Sequence, residues 1–594
     1  MKPRYNRKKI LDFPWSILQL AVFEEIRTGS EHLMIESVAG SGKTRTIEGI
    51  VASLQPGTSI LVAAFNRHIA AELSTRIPPS IATVSTAHKI GKMLLTRLFH
   101  GAPPRIDEGK YRRICQQLIN HLAVHWNEYE TLRTESSVDP ARQFPIAPPN
   151  VSGPLPSDKA RNRLLRRHLE KLVHFAQVSL MSPKLTEVHT MAEHYALGTK
   201  VIADCTEAQI QYWIYPLVIE AMKIGGEQAL QAKVVGLDDL VWLPNILNLK
   251  PSTPKDVVIL DEAQDSSQAI AQLYRRMAGP NGRIILVGDG CQSIMGFAGA
   301  SPSIWQQFKQ ELKPKSCPLN VCYRCPTSHL DLARFFVPDI TPRSDAPIGE
   351  IKVSNFDTVI EEIIPGDLVI CRFNAPLVRA CLRLIRKGIR ARVRGKNIAE
   401  DLVQLAIDAF HEENFPRGFQ NQIHNHCQSR IKTLREEEES EAADLLQDTQ
   451  DALISCFRSF GQKCSSLNQF CEAINQLFCG EEEHPAVVLC SIHRAKGDEA
   501  KRVVILGSNL LPYPLQGKQE WQIAQERNLT YVAITRAIET LILVPIEWAD
   551  QHANYLDHPY GGMNIEAVAL SLDSSEKQVC VKPVCNPENQ LSLF

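Results

Sequence analysis

The chain contains 594 residues, of which 44% are hydrophobic and 22% charged, and its formal net charge is -1. A chain of this length is too long to fold around one hydrophobic core, so we expect several domains. The balanced charge excludes a uniformly basic surface, so any basic patch must be local. Sixteen cysteines without a leading apolar segment predict reduced thiols in a cytoplasmic protein, and no apolar run is long enough to predict a membrane span.

Short apolar runs along the chain predict buried parallel strands. Each run lies near sequence with helical periodicity, which is typical of an α/β fold. The predicted strands are Ile60–Ala63, Val257–Leu260, Ile284–Val287, Leu368–Cys371, Val487–Cys490, Val503–Leu506 and Leu541–Val544. Residues 89–235 and 400–484 predict helical insertions, the first of them interrupted by a Pro-rich loop at 144–158.

A glycine-rich turn, Ala39-Gly40-Ser41-Gly42-Lys43-Thr44, lies between a strand-like run and a helix-like run. Such glycines let backbone N–H groups face phosphate oxygens, and the helix that follows adds the positive end of its dipole. We predict that Lys43 reaches the β- and γ-phosphates of a nucleotide and that Thr44 can bind Mg2+. Ser37 stands where such loops usually begin with glycine, and a glycine-serine turn without a ligand is the alternative interpretation.

Two acidic residues, Asp261 and Glu262, follow the apolar run of "VVILDEAQD". At the end of a strand, Asp261 can bind the Mg2+ shell, and Glu262 can orient and deprotonate an attacking water. A solvated turn is the alternative for such residues taken alone. Together with the glycine-rich turn, they predict a nucleotide hydrolase.

Several segments occur in the order found in the UvrD/Rep family of superfamily 1 DNA helicases, and the chain resembles that family from about Gln19 to Val544. The segments are "DEAQD" (Asp261–Asp265), "VGDGCQSIMGFAGA" (Val287–Ala300), "CYR" (Cys322–Arg324), "SIHRAKGDE" (Ser491–Glu499) and "QERNLTYVAITRA" (Gln525–Ala537). The segments "AAFNRHIAAEL", "STAHKIG" and "LDDLVWLP" are similar to the branch that includes the F-box DNA helicases, although no F-box is visible.

The resemblance implies an ATP-dependent DNA helicase with two RecA-like parallel-sheet domains, each carrying a helical insertion, and with ATP bound between them. The implied domains are 1–88 and 236–316 (1A), 89–235 (1B), 317–399 and 485–548 (2A), 400–484 (2B) and 549–594 (C-terminal extension and tail). The second insertion, about 85 residues by these boundaries, is smaller than in the larger family members, which puts regulation or duplex contacts there in doubt.

The resemblance also implies roles around the nucleotide. Gln19 would read the adenine edge, Tyr323 would stack on the base, and Glu499 would contact the ribose. Arg324 and Arg536 would stabilise the γ-phosphate from the second domain. Further implied nucleotide contacts are Gln292, the γ-phosphate sensor, and Arg45, which follows the glycine-rich turn.

For DNA, the resemblance implies a single-strand track of aromatic faces and polar phosphate contacts. The implied residues are Phe65, Asn66, Thr86, His88, Phe297 and His493. Core packing is the alternative for Phe65 and Phe297, and structural hydrogen bonding is the alternative for the histidines. The chain departs from the family at Met295 and Ala298, where Tyr and Arg are commoner. The implied activity is 3′ to 5′ movement of a monomer on single-stranded DNA and at single-strand/duplex junctions.

Three other features allow more than one interpretation. Arg372–Lys396 contains nine Lys or Arg and no acid, which suits either a solvated helix or a phosphate-binding surface. Trp126, Tyr129 and Trp242 are predicted to be core residues. Cys322 and Cys325, with Cys317 nearby, could suggest a metal, but no second pair lies at metal-site spacing.

The chain ends in Gln590-Leu591-Ser592-Leu593-Phe594 after a polar, Pro-containing stretch that predicts a flexible tether. This pentapeptide resembles the one by which bacterial replication and repair proteins bind the β sliding clamp. A chance terminal hydrophobic segment is the alternative. The tether would raise the concentration of the motor at the replication machinery.

The expected function is thus a clamp-tethered DNA helicase in replication, repair or recombination. Two alternatives stay open. One is a translocase that strips proteins from single strands without unwinding duplexes. The other is an ATP-gated DNA-binding module in phage defence or plasmid maintenance, in which hydrolysis times release.

Overall fold

The computed structural model describes residues 5–135, 159–195, 197, 213–301, 303–387, 389–394, 398–410, 415–436, 440–478, 486–513, 519–546 and 564–573. Contacts divide the chain into two units. The first unit contains Met1–Ser37 and Gly42–Leu319, and the second contains Val38–Ser41 and Asn320–Phe594. The predicted α/β class with parallel sheets is confirmed in both.

The first unit contains a six-stranded sheet in the order β3-β2-β6-β7-β1-β8, in which all paired strands are parallel. Its strands are β1 (Leu33–Ser37), β2 (Ile60–Ala63), β3 (Thr83–Ser85), β6 (Lys255–Leu260), β7 (Ala278–Gly288) and β8 (Lys315–Leu319). The short strands β4 (Arg105–Ile106) and β5 (Val234–Val235) form a separate parallel pair. The three strands predicted here lie within β2, β6 and β7.

The helices of the first unit surround this sheet and form the insertion. They are α1 (Arg7–Leu11), α2 (Ile17–Thr28), α3 (Lys43–Ser53), α4 (Arg67–Arg76), α5 (Ala87–Leu98), α6 (Lys110–Glu135), α7 (Lys159–Val178), α8 (Leu185–His194), α9 (Tyr215–Ala232), α10 (Asp239–Ile246), α11 (Gln268–Met277) and α12 (Ile304–Leu312). The described part of 89–235 is therefore mainly helical, as the sequence predicts.

Alternating side chains place a hydrophobic core on each face of the first sheet. In β1, Leu33 and Ile35 pack in one core with Phe23 and Ile47, whereas Met34 packs in the other core. This period of two is the geometry of a strand covered on both faces. The insertion has a third core, which includes Trp242, so the core prediction for that residue is confirmed. The side chains at positions 126 and 129 lie outside the described residues.

The second unit contains another parallel six-stranded sheet, in the order β11-β16-β15-β12-β14-β13. Its strands are β11 (Glu350–Val353), β12 (Leu368–Cys371), β13 (Ala391–Val393), β14 (Val487–Ser491), β15 (Ala500–Leu506) and β16 (Ala537–Val544), and β9 (Val321–Cys322) pairs with β10 (Thr341–Pro342). The four strands predicted here are all present.

The helices of the second unit are α13 (Thr327–Ala333), α14 (Phe356–Glu362), α15 (Asn374–Arg386), α16 (Ile398–Ala409), α17 (Phe419–Glu436), α18 (Ser440–Ser459), α19 (Leu467–Phe478), α20 (Glu520–Ile534) and α21 (Ile565–Asp573). Helices α16 to α19 share an aromatic core that includes Phe419, Phe457 and Phe470. Within the described ranges, no helix is both long and apolar enough to cross a membrane.

Candidate functional site

Five segments that carry candidate residues follow strands of the first sheet and lie at one edge of it. Because the strands are parallel, the segments that follow them emerge at the same edge, where α/β proteins bind ligands. In spatial order these segments are the glycine-rich turn after β1, Asp289–Gln292 after β7, Asp261–Glu262 after β6, Phe65–Asn66 after β2 and Thr86–His88 after β3.

The glycine-rich turn depends on two residues with positive φ. Gly40 has a φ of +67°, and Gly42, which precedes α3, has a φ of +82°. The departure from glycine at Ser37 is accommodated because its hydroxyl donates to the carbonyl of Gly288 at 2.7 Å, joining the ends of β1 and β7. The Ser41 hydroxyl is buried without a hydrogen-bond partner, so the turn contains a polar atom that a ligand could satisfy.

Val38–Ser41, which form the tip of this turn, belong to the second unit. There, the backbone N–H of Ala39 donates to the Tyr531 hydroxyl at 2.8 Å, and the N–H of Tyr323 donates to the Gly40 carbonyl at 2.8 Å. A Cβ on Gly40 would lie 2.7 Å from the Cβ of Arg324. Only glycine, which has no Cβ, therefore fits where the turn lies against Arg324.

Lys43, the first residue of α3, lies within a group of carboxylates. Its Nζ is 2.9 Å from Oε1 of Glu262. Burial lowers the pKa of Lys43, but interactions with Glu262, Asp289 and Asp261 outweigh burial and raise it. Burial raises the pKa of both Asp261 and Asp289, and the charge of Lys43 opposes that rise. The group thus combines one cation with three carboxylates at the end of the sheet.

Sequence reasoning missed two members of this group, Asp289 and Gln264, although both lie in the quoted segments. The Gln264 amide donates to Oε2 of Glu262 at 2.5 Å, and its oxygen accepts from the N–H of Asp289 at 3.1 Å. Oδ2 of Asp289 accepts from the Gln292 amide at 2.7 Å. Glu262 has a φ of +50°, a conformation that is costly for a residue with a side chain and that often marks functional sites.

The other predicted nucleotide residues of the first unit lie near α3. Gln19 is buried, and its amide donates to the Thr46 hydroxyl at 3.0 Å. Thr44 is half-buried in the first turn of α3. Arg45 donates to Glu48 at 2.8 Å, and its guanidinium carbon lies 4.4 Å from the centre of an aromatic ring, that of Phe13.

In the second unit, Arg324 and Glu499 form an ion pair, with Nε 2.5 Å from Oε2. Tyr323 is exposed. Arg536 is 1% exposed, and its guanidinium donates to the carbonyl of Val532 at 2.8 Å and to that of Asp498 at 3.1 Å. Arg324 also donates to the carbonyl of Thr535 at 3.2 Å, so both arginines donate to backbone carbonyls, and Arg324 pairs in addition with a carboxylate.

The predicted DNA residues of the first unit follow β2 and β3 or lie in a turn after β7. Phe65 is 38% exposed, so it is not a core residue. Asn66 and Thr86 cap the N-termini of α4 and α5. His88 is half-buried, and burial lowers its pKa. Phe297 belongs to a one-turn 3-10 helix, and its side chain lies outside the described residues.

His493 and Arg372 follow the neighbouring strands β14 and β12 of the second sheet. Burial, followed by the charge of Arg372, lowers the pKa of His493 to about 3. Arg372 donates to the buried Glu526 at 2.7 Å. Other basic residues of the Arg372–Lys396 stretch also pair with carboxylates; the pairs are Arg383–Asp357, Lys387–Glu361 and Arg394–Asp498. These pairs favour a structural role for much of the stretch.

Residues 21–313, which make up most of the first unit, match the family model described as the UvrD/REP helicase N-terminal domain. The matched segment covers just under half of the 594 residues of the chain. Its quoted segments "DEAQD" and "VGDGCQSIMGFAGA" lie inside the match, and they supply Asp261, Glu262, Gln264 and Asp289.

Two curated proteins are similar to the chain at low identity. The DNA helicase II of Haemophilus influenzae is 22% identical over 52% of this chain and 39% of its own length. The F-box DNA helicase protein 1 of Schizosaccharomyces pombe is 23% identical over 86% of this chain and 55% of its own length. The chain thus spans about half the length of these relatives or less. The matched residues 21–313 include the carboxylate group, whereas the clamp-like peptide 590–594 lies outside the described residues.

Proposed function

We propose that this protein is an ATP-dependent DNA helicase that moves on single-stranded DNA. The observation that carries the proposal is the shared edge of the first sheet. The Lys43–Glu262 ion pair lies there at the ends of β1 and β6, and Phe65 and Thr86 follow the adjacent β2 and β3. The match to the UvrD/REP helicase N-terminal domain and the two helicase relatives support the same function.

The residues present fit ATP with Mg2+, because the turn offers backbone N–H groups, a buried hydroxyl without a partner and a cation beside carboxylates. Bound ATP supplies the phosphoryl group, with Mg2+ neutralising charge as it is transferred. Ala39–Gly42 and Lys43 would hold the phosphates, and Thr44 and Asp261 would hold the metal. Glu262 would accept a proton from the attacking water, positioned by the amide of Gln264.

Further residues would complete the nucleotide site. Gln19 and Arg45 would contact the base from the first unit, and Tyr323 would stack on it. Glu499 would contact the ribose, and Gln292 would sense the γ-phosphate through Asp289. Arg324 and Arg536 would stabilise the charge that develops on the γ-phosphate during hydrolysis.

The single strand would contact the edge formed after β2 and β3 in the first unit and the segment after β14 in the second unit. Stacking on aromatic faces tolerates any base, so we expect little sequence preference. The proposed contacts are Phe65, Asn66, Thr86, His88, Phe297 and His493. We also propose that the protein is a monomer that moves 3′ to 5′ and that it has the 1A/1B/2A/2B arrangement with the boundaries given above. The boundary between 1A and 2A at 316/317 falls inside β8.

We further propose that Gln590–Phe594 binds a bacterial β sliding clamp, which would place the helicase in replication or repair. An extended peptide of this kind can bind through alternating apolar pockets. Deletion of the five residues should abolish retention on immobilised clamp. A variant that is still retained would refute the tether, while the ATPase rate without clamp reports whether the deletion has disturbed the fold.

The deciding experiment measures ATP hydrolysis and strand separation on duplexes with 3′ or 5′ single-stranded tails, with and without clamp. Unwinding of 3′-tailed duplexes alone is expected. Displacement of a bound protein without strand separation would favour the protein-stripping translocase. Slow hydrolysis without directional movement would favour the ATP-gated binding module.

A further inference from the structure

A histidine from the helical insertion reaches the turn that carries Phe297. His174 lies in α7, and its Nδ1 is 2.7 Å from Oδ2 of Asp238. The backbone of Ala298 hydrogen-bonds the same imidazole. A Cβ on Gly299 would lie 3.2 Å from Nε2 of His174, and Gly299 has a φ of +86°. The turn therefore packs closely against the ring.

Asp238, the partner of His174, is followed in the chain by Asp239, and Asp239 belongs to a buried hydrogen-bond network. Asp239 is fully buried, and its carboxylate lies 2.5 Å from Nζ of Lys110. The same carboxylate accepts from the hydroxyl of Tyr111 at 2.7 Å and from the amide of Gln177 at 2.8 Å. Gln177 lies three residues after His174 on α7, and Asp239 is next to Asp238. The network therefore fixes the backbone close to both His174 and Asp238.

The charges around the pair favour a protonated His174. Burial lowers the pKa of His174, but the hydrogen bond and charge of Asp238 outweigh burial and raise it, while Lys171 opposes the rise. His88 faces the same carboxylate, yet burial and Arg67 lower its pKa. As pH increases through the near-neutral range, His174 therefore retains its proton longer than His88 does.

We propose that His174 and Asp238 form a positioning pair that holds the Ala298–Gly299 turn in the shape that contacts single-stranded DNA. The inference rests on the proposed function, because the turn carries one of its proposed DNA contacts. The side chain of Ala298 carries no charge, so the turn has no cation of its own at this position. An imidazolium on a neighbouring helix holds this backbone instead, and it does so best while it is charged.

The test is the affinity for a fluorescent oligothymidine, measured by anisotropy without nucleotide between about pH 6 and about pH 9. Wild-type affinity should fall as pH rises through the pKa of His174. His174→Gln should bind about tenfold more weakly at low pH, the effect of losing one hydrogen bond to a charged group. Its remaining affinity should not follow the wild-type pH curve.

Asp238→Asn tests the pair in a second way. It keeps the shape of the side chain but removes the charge that raises the pKa of His174, so the pH midpoint should move to lower pH. His424→Gln, which changes an exposed histidine on α17, should keep the wild-type curve. Melting temperatures check that each variant is folded.

The possible outcomes separate this inference from the proposed function. If His174→Gln keeps the wild-type pH dependence, or if Asp238→Asn leaves the midpoint in place, the positioning role is wrong while DNA binding stands. An equal loss of affinity at every pH would reveal a purely structural role and would also overturn the inference. If the wild-type protein does not bind the oligonucleotide, the proposed function itself fails.

Discussion

Replacement of Lys43 by alanine removes the cation whose Nζ lies 2.9 Å from Glu262. The same charge opposes the rise in pKa of Asp261 and Asp289, so without it both carboxyls should be protonated more readily and bind a metal less well. We expect DNA-stimulated ATP hydrolysis to fall by about 10²–10³, equivalent to about 2.7–4 kcal/mol, as when one preorganised group that stabilises developing charge is removed.

The assay is the initial rate of phosphate release with saturating single-stranded DNA, accompanied by the melting temperature. Lys309→Ala is the matched control, because it removes an ammonium 2.8 Å from Glu36 in a pair whose side chains are 40% and 35% exposed. Such exposed pairs contribute about 0–1 kcal/mol, so this variant should hydrolyse ATP normally. If Lys43→Ala turns over ATP at the wild-type rate, the assignment of the nucleotide site is refuted.

Three other changes test the site and its supports. Glu262→Gln removes the proposed base, so turnover should fall by about 10²–10⁴ while binding of a fluorescent ATP analogue persists; normal turnover would exclude that role. Gly299→Ala adds a Cβ 2.7 Å from a valine methyl at positive φ, so its melting temperature should fall further than that of Gly57→Ala, which has positive φ but nothing within 4 Å. Asp239→Asn leaves the buried Lys110 without its carboxylate, and urea denaturation should show a loss of about 3–5 kcal/mol; a smaller loss would mean that the network relaxes.

Sequence patterns located the interior strands of both sheets and missed the edges. The seven predicted strands and the strand-like run before the glycine-rich turn correspond to β1, β2, β6, β7, β12, β14, β15 and β16, all of which have two neighbours. The four edge strands are β3, β8, β11 and β13. An interior parallel strand is covered on both faces and is continuously apolar, whereas an edge strand such as Glu350–Val353 is largely exposed.

The grouping of the candidate site residues was predictable where a residue type at the end of a strand has one common chemical role. Lys43, Asp261 and Glu262 follow from their positions after strands, and the structure brings them together. Gln264 and Asp289 were not identifiable in this way, because their inward orientation depends on how short helical turns follow β6 and β7. The contact of His174 with Ala298 joins segments over a hundred residues apart, and no local pattern encodes it.

The order of strands gives the proposed coupling between hydrolysis and DNA a physical route. The backbone N–H of Asp261 donates to the carbonyl of Ala63 at 3.0 Å, and Phe65 lies two residues further along. The next N–H, that of Ala64, donates to the carbonyl of Ser85 at 3.0 Å, immediately before Thr86. A continuous backbone path therefore links the proposed metal ligand to both proposed DNA-binding segments across strands about 4.8 Å apart. Because close-packed elements shift together rather than deform, a small displacement of Asp261 during hydrolysis would move both segments.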